Sequence, residues 1–295
     1  MSIYRDWFLA ARPWSFTMSF ISVSVGAAVA ALHGPFSITL YLLSLVAMIA
    51  LHGATNVMND YFDYRSGVDT TQAATANYRP HPLVEGRLSL NHILAESIIL
   101  YLVGIGLGGY LICNRGWPLL LIGLIGVAAS LFYTAPPLQY KYKAWGEFSV
   151  FLMWGPLAVE GAYYVQRQSF STTALLVSVP FGVLVALVLF ANNFRDIEND
   201  RSKGIKTLGV MLGLANSLRL YIAMILFAYL SVTLMAVYGP LKLWSLLVLL
   251  SIPVAVKLIV TMWRSLPDDA DAQTAKLDTA FGLLLLISLV LGRIW

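Results

Sequence analysis

Runs of about twenty apolar residues recur along the whole chain, near 14–32, 37–58, 93–113, 117–134, 147–166, 173–194, 219–238, 242–262 and 278–295. A hydrocarbon core about 30 Å thick needs roughly 20 apolar residues per helical crossing, so this pattern predicts about nine transmembrane helices. Backbone polar groups in lipid must be satisfied internally, which helices achieve and open strands do not. The runs are continuous, without the polar–apolar alternation of a membrane barrel. The expected fold class is all-α: a polytopic membrane bundle forming one domain over 1–295, with long polar cap loops near 59–92 and 195–218. Nine crossings would put the termini on opposite sides.

Composition agrees. Hydrophobic residues make up 59% of the chain and charged residues 12%, with a mean hydropathy of +0.75. Soluble domains average about 45–50% apolar and about 25% charged. A disordered chain, a secreted disulfide scaffold and a nucleic-acid-binding domain are thereby excluded, and the expected surroundings are membrane lipid. The single Cys113 permits no internal disulfide. Arg5 and Arg12 precede an apolar run, but no small-residue cleavage site follows it, so no cleavable signal peptide is expected.

The net charge of +4 is explained by where the basic residues fall. Arg5, Arg12, Arg65, Arg79, Arg87, Lys141, Lys143, Arg195, Arg201, Lys203, Lys206, Arg219, Lys257, Arg264 and Lys276 lie toward one side. Arg115, Arg167, Lys242 and Arg293 lie toward the other. Fifteen against four places the N-terminus and both long loops in the cytoplasm, with the chain spanning the cell membrane.

Polar residues are scarce, so their pattern is informative. The ends of the second and sixth runs align at an offset of 136, placing Asn56 on Asn192, Asp60 on Asp196, Arg65 on Arg201 and Ser66 on Ser202. Internal repeats commonly build membrane sites at their interface. The expected architecture is two four-helix quasi-repeats plus a ninth helix. Helical spacing puts His52, Asn56, Asp60 and Asp63 on one face, and Asn192, Asp196 and Asp200 on another.

Two such stripes facing one cavity concentrate negative charge, which becomes reasonable if divalent cations bridge it. Hard oxygen ligands suit Mg²⁺, typically with substrate phosphates completing its shell. Arg65, Arg79, Lys141, Lys143, Arg195, Arg201 and Lys206 lie nearby, and acids, metal and bases together read as a diphosphate site. Taken alone, Asp63 or Asp69 also reads as a helix cap, and His52 as a buried hydrogen-bonding partner. Glu160 falls inside a crossing, where carboxylates are costly and often functional. Arg12 reads as a positive-inside anchor or as a cavity residue. A secondary transporter is the rival reading from another class, although transporter sites usually lie near the bilayer midplane.

With these motifs in view, the chain resembles the UbiA family of intramembrane aromatic prenyltransferases. Asn56-x3-Asp60-x2-Asp63 resembles its first Asp-rich motif and Asp196-x3-Asp200 its second. Asn77-x-Arg79-Pro80, Gly86-x-Leu88-Ser89, Tyr133-Thr134-x-Pro136-Pro137 and Gly204-x-Lys206-Thr207-Leu208 match as well. The resemblance implies Asp60, Asp63, Asp196 and Asp200 as catalytic acids, holding Mg²⁺ with Asn56 and Asn192. It implies Arg65, Arg79, Lys141, Lys143, Arg201 and Lys206 around the diphosphate of a polyprenyl diphosphate. Arg12, Tyr133, Asn193 and Glu160 are the candidate acceptor or cavity residues.

The run from Asn192 to Gly213 and the stretch from Trp145 to Gln166 are most similar to the 1,4-dihydroxy-2-naphthoate branch, which implies menaquinone biosynthesis and a demethylmenaquinone product. Other branches use 4-hydroxybenzoate, homogentisate, a chlorophyll precursor or a glycerol-phosphate lipid. Gly67 stands where some members carry a third acid, Asp69 follows two residues later, and His81-Pro82 is inserted into the usual Arg-Pro-Leu pattern.

Overall fold

The computed structural model describes residues 3–70 and 78–294, and every regular element among them is helical. The elements are α1 (Ile3–Ala10), α2 (Phe16–Leu32), α3 (Ile38–Arg65), α4 (Leu90–Arg115), α5 (Pro118–Phe132), α6 (Gly146–Leu152), α7 (Ala158–Arg167), α8 (Thr172–Arg195), α9 (Ile197–Ser202), α10 (Leu208–Tyr238), α11 (Ile252–Arg264) and α12 (Ala270–Ile294). A 3₁₀ stretch, Leu243–Ser251, leads into α11, and a π-helical turn, Met153–Leu157, joins α6 to α7.

Sequence punctuation sets the helix starts. Ser37, Ser89, Ser171 and Thr207 each accept a backbone N–H of the first turn they precede, at α3, α4, α8 and α10. Pro13 separates α1 from α2, since proline lacks the N–H that a continuing helix would use.

Among the described residues, seven segments are long and apolar enough to cross a membrane: Ile3–Leu32, Ile38–Arg65, Leu90–Arg115, Thr172–Arg195, Leu208–Tyr238, Leu243–Arg264 and Ala270–Ile294. The other two expected crossings correspond to α5, which has only 15 residues, and to Gly146–Arg167, which the π turn interrupts. The chain is a multi-pass membrane protein.

At the centre, α2 packs against α3, α7, α8 and α12, while α8 also packs against α6 and α10. Both are predominantly apolar and largely buried, as the central helices of a bundle are. Lipid tails are as apolar as leucine, so close packing rather than hydrophobic exclusion holds such helices together. A Cβ on Gly182 would stand 2.8 Å from the Gly155 Cα, so α8 and the π turn touch backbone to backbone. By contrast, α4 and α5 turn Leu102, Ile105, Leu121 and Leu124 outward.

Candidate functional site

Asp63 is the most enclosed acid of the first motif. Its carboxylate accepts hydrogen bonds from Asn59 Nδ2 at 2.8 Å, Lys141 Nζ at 2.6 Å and the Tyr142 hydroxyl. Lys141 also donates to Asn59 Oδ1 at 3.0 Å. Burial alone would lower the lysine pKa, but the Asp63 charge outweighs it and holds Lys141 above its ordinary value.

Asp60, one turn earlier on α3, has different partners. It pairs with the Arg12 guanidinium, and His81 Nε2 lies 3.8 Å from its Oδ1. Arg12 has φ 57°, a left-handed conformation that costs a non-glycine residue roughly 1–2 kcal/mol. That turn, just before Pro13, delivers its guanidinium to α3. His81 Nε2 is 3.0 Å from Asp69 Oδ2. Burial opposes ionisation of Asp69, yet the His81 hydrogen bond and the charges of Lys141, His81 and Arg12 hold it below the usual carboxylate range. One donor atom each from Asp60, Asp69 and His81 lies within 4.8 Å of the others.

The second motif is organised by Arg195, which ends α8. Its guanidinium donates to Asp196 at 2.6 and 2.8 Å, Asn192 Oδ1 at 2.7 Å, Asp271 Oδ1 at 3.1 Å and the Asp268 carbonyl at 2.7 Å. Tyr78 donates to Asp271 at 2.6 Å, and burial followed by the Asp271 charge pushes its phenol up to about 12. Asp200, on α9, accepts from Thr207 Oγ1 at 3.2 Å. Burial, then the neighbouring Asp196 charge, pushes its carboxyl up to about 6. Arg79 is partly buried, its Nε has no partner among the described residues, and burial and Arg12 lower its pKa.

A cavity of about 410 Å³ joins the two motifs. Asn56, Asp63, Asn192, Asp196, Asp200, Arg12, Arg79, Lys141, Tyr133 and Asn193 all line it. The α3 lining runs from Asp63 to Met48, about 22 Å at 1.5 Å per residue. Below the charged rim the wall turns apolar, with Met18, Leu51, Ile122, Val150, Leu157 and Val188.

Asp60 stands beside this cavity, held by Arg12. Arg65, Lys143, Arg201 and Lys206 are exposed and lie outside the lining; Arg65 donates to Tyr61, and Arg201 to Glu198 at 3.1 Å. Glu160 also lies outside it, accepting the Ser171 N–H at 3.2 Å where α8 begins. Asn77 falls outside the described residues.

Sequence reasoning passed over Tyr78, Asn59, Glu147 and Asp271. Asp271 belongs to a visible acidic group, Asp268-Asp269-x-Asp271, but nothing local ties it to Asp196. Glu147 opens α6 and accepts from Asn193 Nδ2 at 2.8 Å.

Residues 19–287 match the model of the UbiA prenyltransferase family. The chain is 30% identical over 285 residues to the 1,4-dihydroxy-2-naphthoate octaprenyltransferase of Bacillus subtilis (strain 168), covering 95% of this chain and 91% of that one. Its fold is similar to that of a UbiA homologue from Aeropyrum pernix K1, with a TM-score of 0.67 at 18% identity over 92% of this chain and 97% of that one. A UbiA homologue from Archaeoglobus fulgidus, solved bound to GPP and Mg²⁺, gives a TM-score of 0.59 at 15% identity, covering 96% and 99%. The chain belongs to the UbiA prenyltransferase family.

Proposed function

We propose that this protein transfers the prenyl group of an allylic polyprenyl diphosphate to 1,4-dihydroxy-2-naphthoate, with Mg²⁺ as cofactor, on the cytoplasmic face of the cell membrane. The carrying observation is the convergence of both acid motifs, the basic groups Arg79 and Lys141 and an apolar wall in one cavity. The name of the Bacillus subtilis relative supports the acceptor, and the GPP and Mg²⁺ of the Archaeoglobus fulgidus homologue support donor and cofactor.

The donor set fits a hard dication. Burial, then the Asp196 charge, raises Asp200, and Asp60 and Asp69 bring donor oxygens within 4.8 Å of each other. Asp60, Asp63, Asp196 and Asp200, with the amides of Asn56 and Asn192, would hold Mg²⁺. The chemistry a bound Mg²⁺ supplies is neutralisation of the leaving diphosphate.

Arg79 and Lys141 add cationic donors at the same rim. The C1–O bond of the donor breaks, and the diphosphate departs with the electron pair. A ring carbon of the acceptor then uses its π pair to form the new C–C bond, and the ring carboxylate leaves as CO₂, returning its bonding pair to the ring. The product is the naphthoquinol form of demethylmenaquinone. Met18, Leu51 and Leu157 exclude water that would otherwise capture the allylic cation.

Membership of a prenyltransferase family sets the transporter reading aside. Incubating the purified protein with labelled geranylgeranyl diphosphate and an acceptor panel tests the proposal. The panel contains 1,4-dihydroxy-2-naphthoate, 4-hydroxybenzoate, homogentisate, chlorophyllide and glycerol phosphates. A buried hydrogen-bond partner is worth roughly 1–3 kcal/mol, so the naphthoate should be preferred about ten- to hundredfold. Faster prenylation of another acceptor would overturn the assignment.

A further inference from the structure

Beneath the acid rim, His52 sits in a hydrogen-bonded chain whose proton directions can be read in full. The Ser15 hydroxyl donates to the Arg12 carbonyl at 2.8 Å, so its proton is committed. His52 Nε2, 3.2 Å from Ser15 Oγ, must therefore carry the ring proton and donate it there. That leaves His52 Nδ1 as an acceptor for the Ser19 hydroxyl at 2.8 Å. Ser19 Oγ in turn accepts from Trp154 Nε1 at 3.1 Å. Asn56 Nδ2 closes the upper end by donating to Ser15 Oγ at 3.1 Å. Every proton in the sequence Trp154–Ser19–His52–Ser15–Arg12 has one defined acceptor.

The chain fixes the indole from several sides. The rings of His52 and Trp154 lie 4.8 Å apart at 72°, and the Trp154 carbonyl accepts the Ser22 hydroxyl at 2.6 Å. Trp154 belongs to the π turn Met153–Leu157, where one extra residue per turn re-aims side chains and where functional sites recur. Both Trp154 and His52 line the cavity, between the charged rim and its apolar depth.

We propose that Trp154 is the residue facing the allylic cation, and that His52 is its positioning residue, acting through Ser19. This inference rests on the prenyl-transfer reading above. When the C1–O bond breaks and the diphosphate takes the electron pair, positive charge spreads over the allylic carbons. An indole face within about 6 Å attracts such a charge, most strongly where water is excluded. It disperses the charge until the π pair of the acceptor forms the C–C bond. Without that ring, water competes for the cation, giving prenyl alcohol and a proton.

The test uses the full chain in detergent with geranyl diphosphate and 1,4-dihydroxy-2-naphthoate, measuring kcat, the KM for the diphosphate, the ratio of prenyl alcohol to prenylated product, and the melting temperature. Trp154→Leu should lower kcat about thirtyfold and raise the alcohol fraction, with the KM changed less than about threefold. Trp154→Phe, which keeps an aromatic face but loses the hydrogen bond to Ser19, should fall between the parent and Trp154→Leu in both rate and product ratio. His52→Ala should shift rate and product ratio in the same direction, and His52→Gln, whose amide can accept from Ser19, should restore much of both. An unchanged product ratio in Trp154→Leu, or losses confined to KM and melting temperature, would overturn the inference. If the unaltered protein forms no prenylated naphthoquinol, the prenyl-transfer reading itself fails instead.

Discussion

Lys141 and Asp63 meet at 2.6 Å, an ion pair that ties the turn after α5 to the last turn of α3. The pair spans the mouth of the cavity, so its lysine is both a structural tether and a positive charge beside the diphosphate position. Breaking a buried pair by removing one partner costs about 3–5 kcal/mol, because the other charge is left enclosed. Lys141→Ala is expected to lower the melting temperature and to reduce prenyl transfer about a hundredfold or more. Lys141→Met separates the two roles, since it preserves the packing of the stem. A variant that melts like the parent and keeps its rate would remove Lys141 from the site.

Asp200 gives the account a pH signature. Burial and the Asp196 charge push its carboxyl up to about 6, so it is protonated below that pH and ionised above it. A cation requires the ionised form. The Mg²⁺ concentration giving half-maximal rate should therefore be flat above about pH 6.5 and rise up to about tenfold for each unit below 6. The sign for folding is opposite. A carboxyl raised in the folded state penalises folding as pH climbs from the unfolded value of 3.8 toward 6. Asp200→Asn should flatten the Mg²⁺ dependence, and a profile that does not change would exclude this group from the cation site.

Orientation can be read by labelling. Ser202 is exposed at the end of α9, and Cys113 is exposed near the end of α4. In sealed vesicles of known sidedness, Ser202→Cys in a Cys113→Ser background should react with an impermeant maleimide only from the cytoplasmic side. The native Cys113 should react only from outside. The reverse pattern would invert the topology.

The crossings were legible because roughly 20 apolar residues in a row have few alternatives. Two were blurred for physical reasons. The α5 helix is short, and Gly146–Arg167 carries Glu147, Glu160 and a π turn around Pro156, none of which a count of apolar residues anticipates. At the site, the stripe through His52, Asn56 and Asp63 was legible because α3 is unbroken and periodicity alone sets its face. Partnerships across the fold were not. Arg12 reaches Asp60 only through a left-handed turn, and Arg195 meets Asp271 only after α12 folds back beside α8. The inserted His81 looked like a local irregularity until the fold set it between Asp60 and Asp69. Charges near the motifs in sequence divided in the same way, Lys141 turning inward and Lys143 remaining exposed.

The central claim is that the two acid motifs hold a divalent cation on a prenyl diphosphate. Prenyl transfer by the purified protein, measured after exhaustive chelation and again during Mg²⁺ titration, tests it most directly when Asp60→Asn and Asp196→Asn are assayed alongside. The account predicts no transfer without the cation, full recovery on its return, and a loss of about a hundredfold or more in either variant while it remains folded at the assay temperature. Transfer that survives chelation, with both folded variants still active, would contradict it.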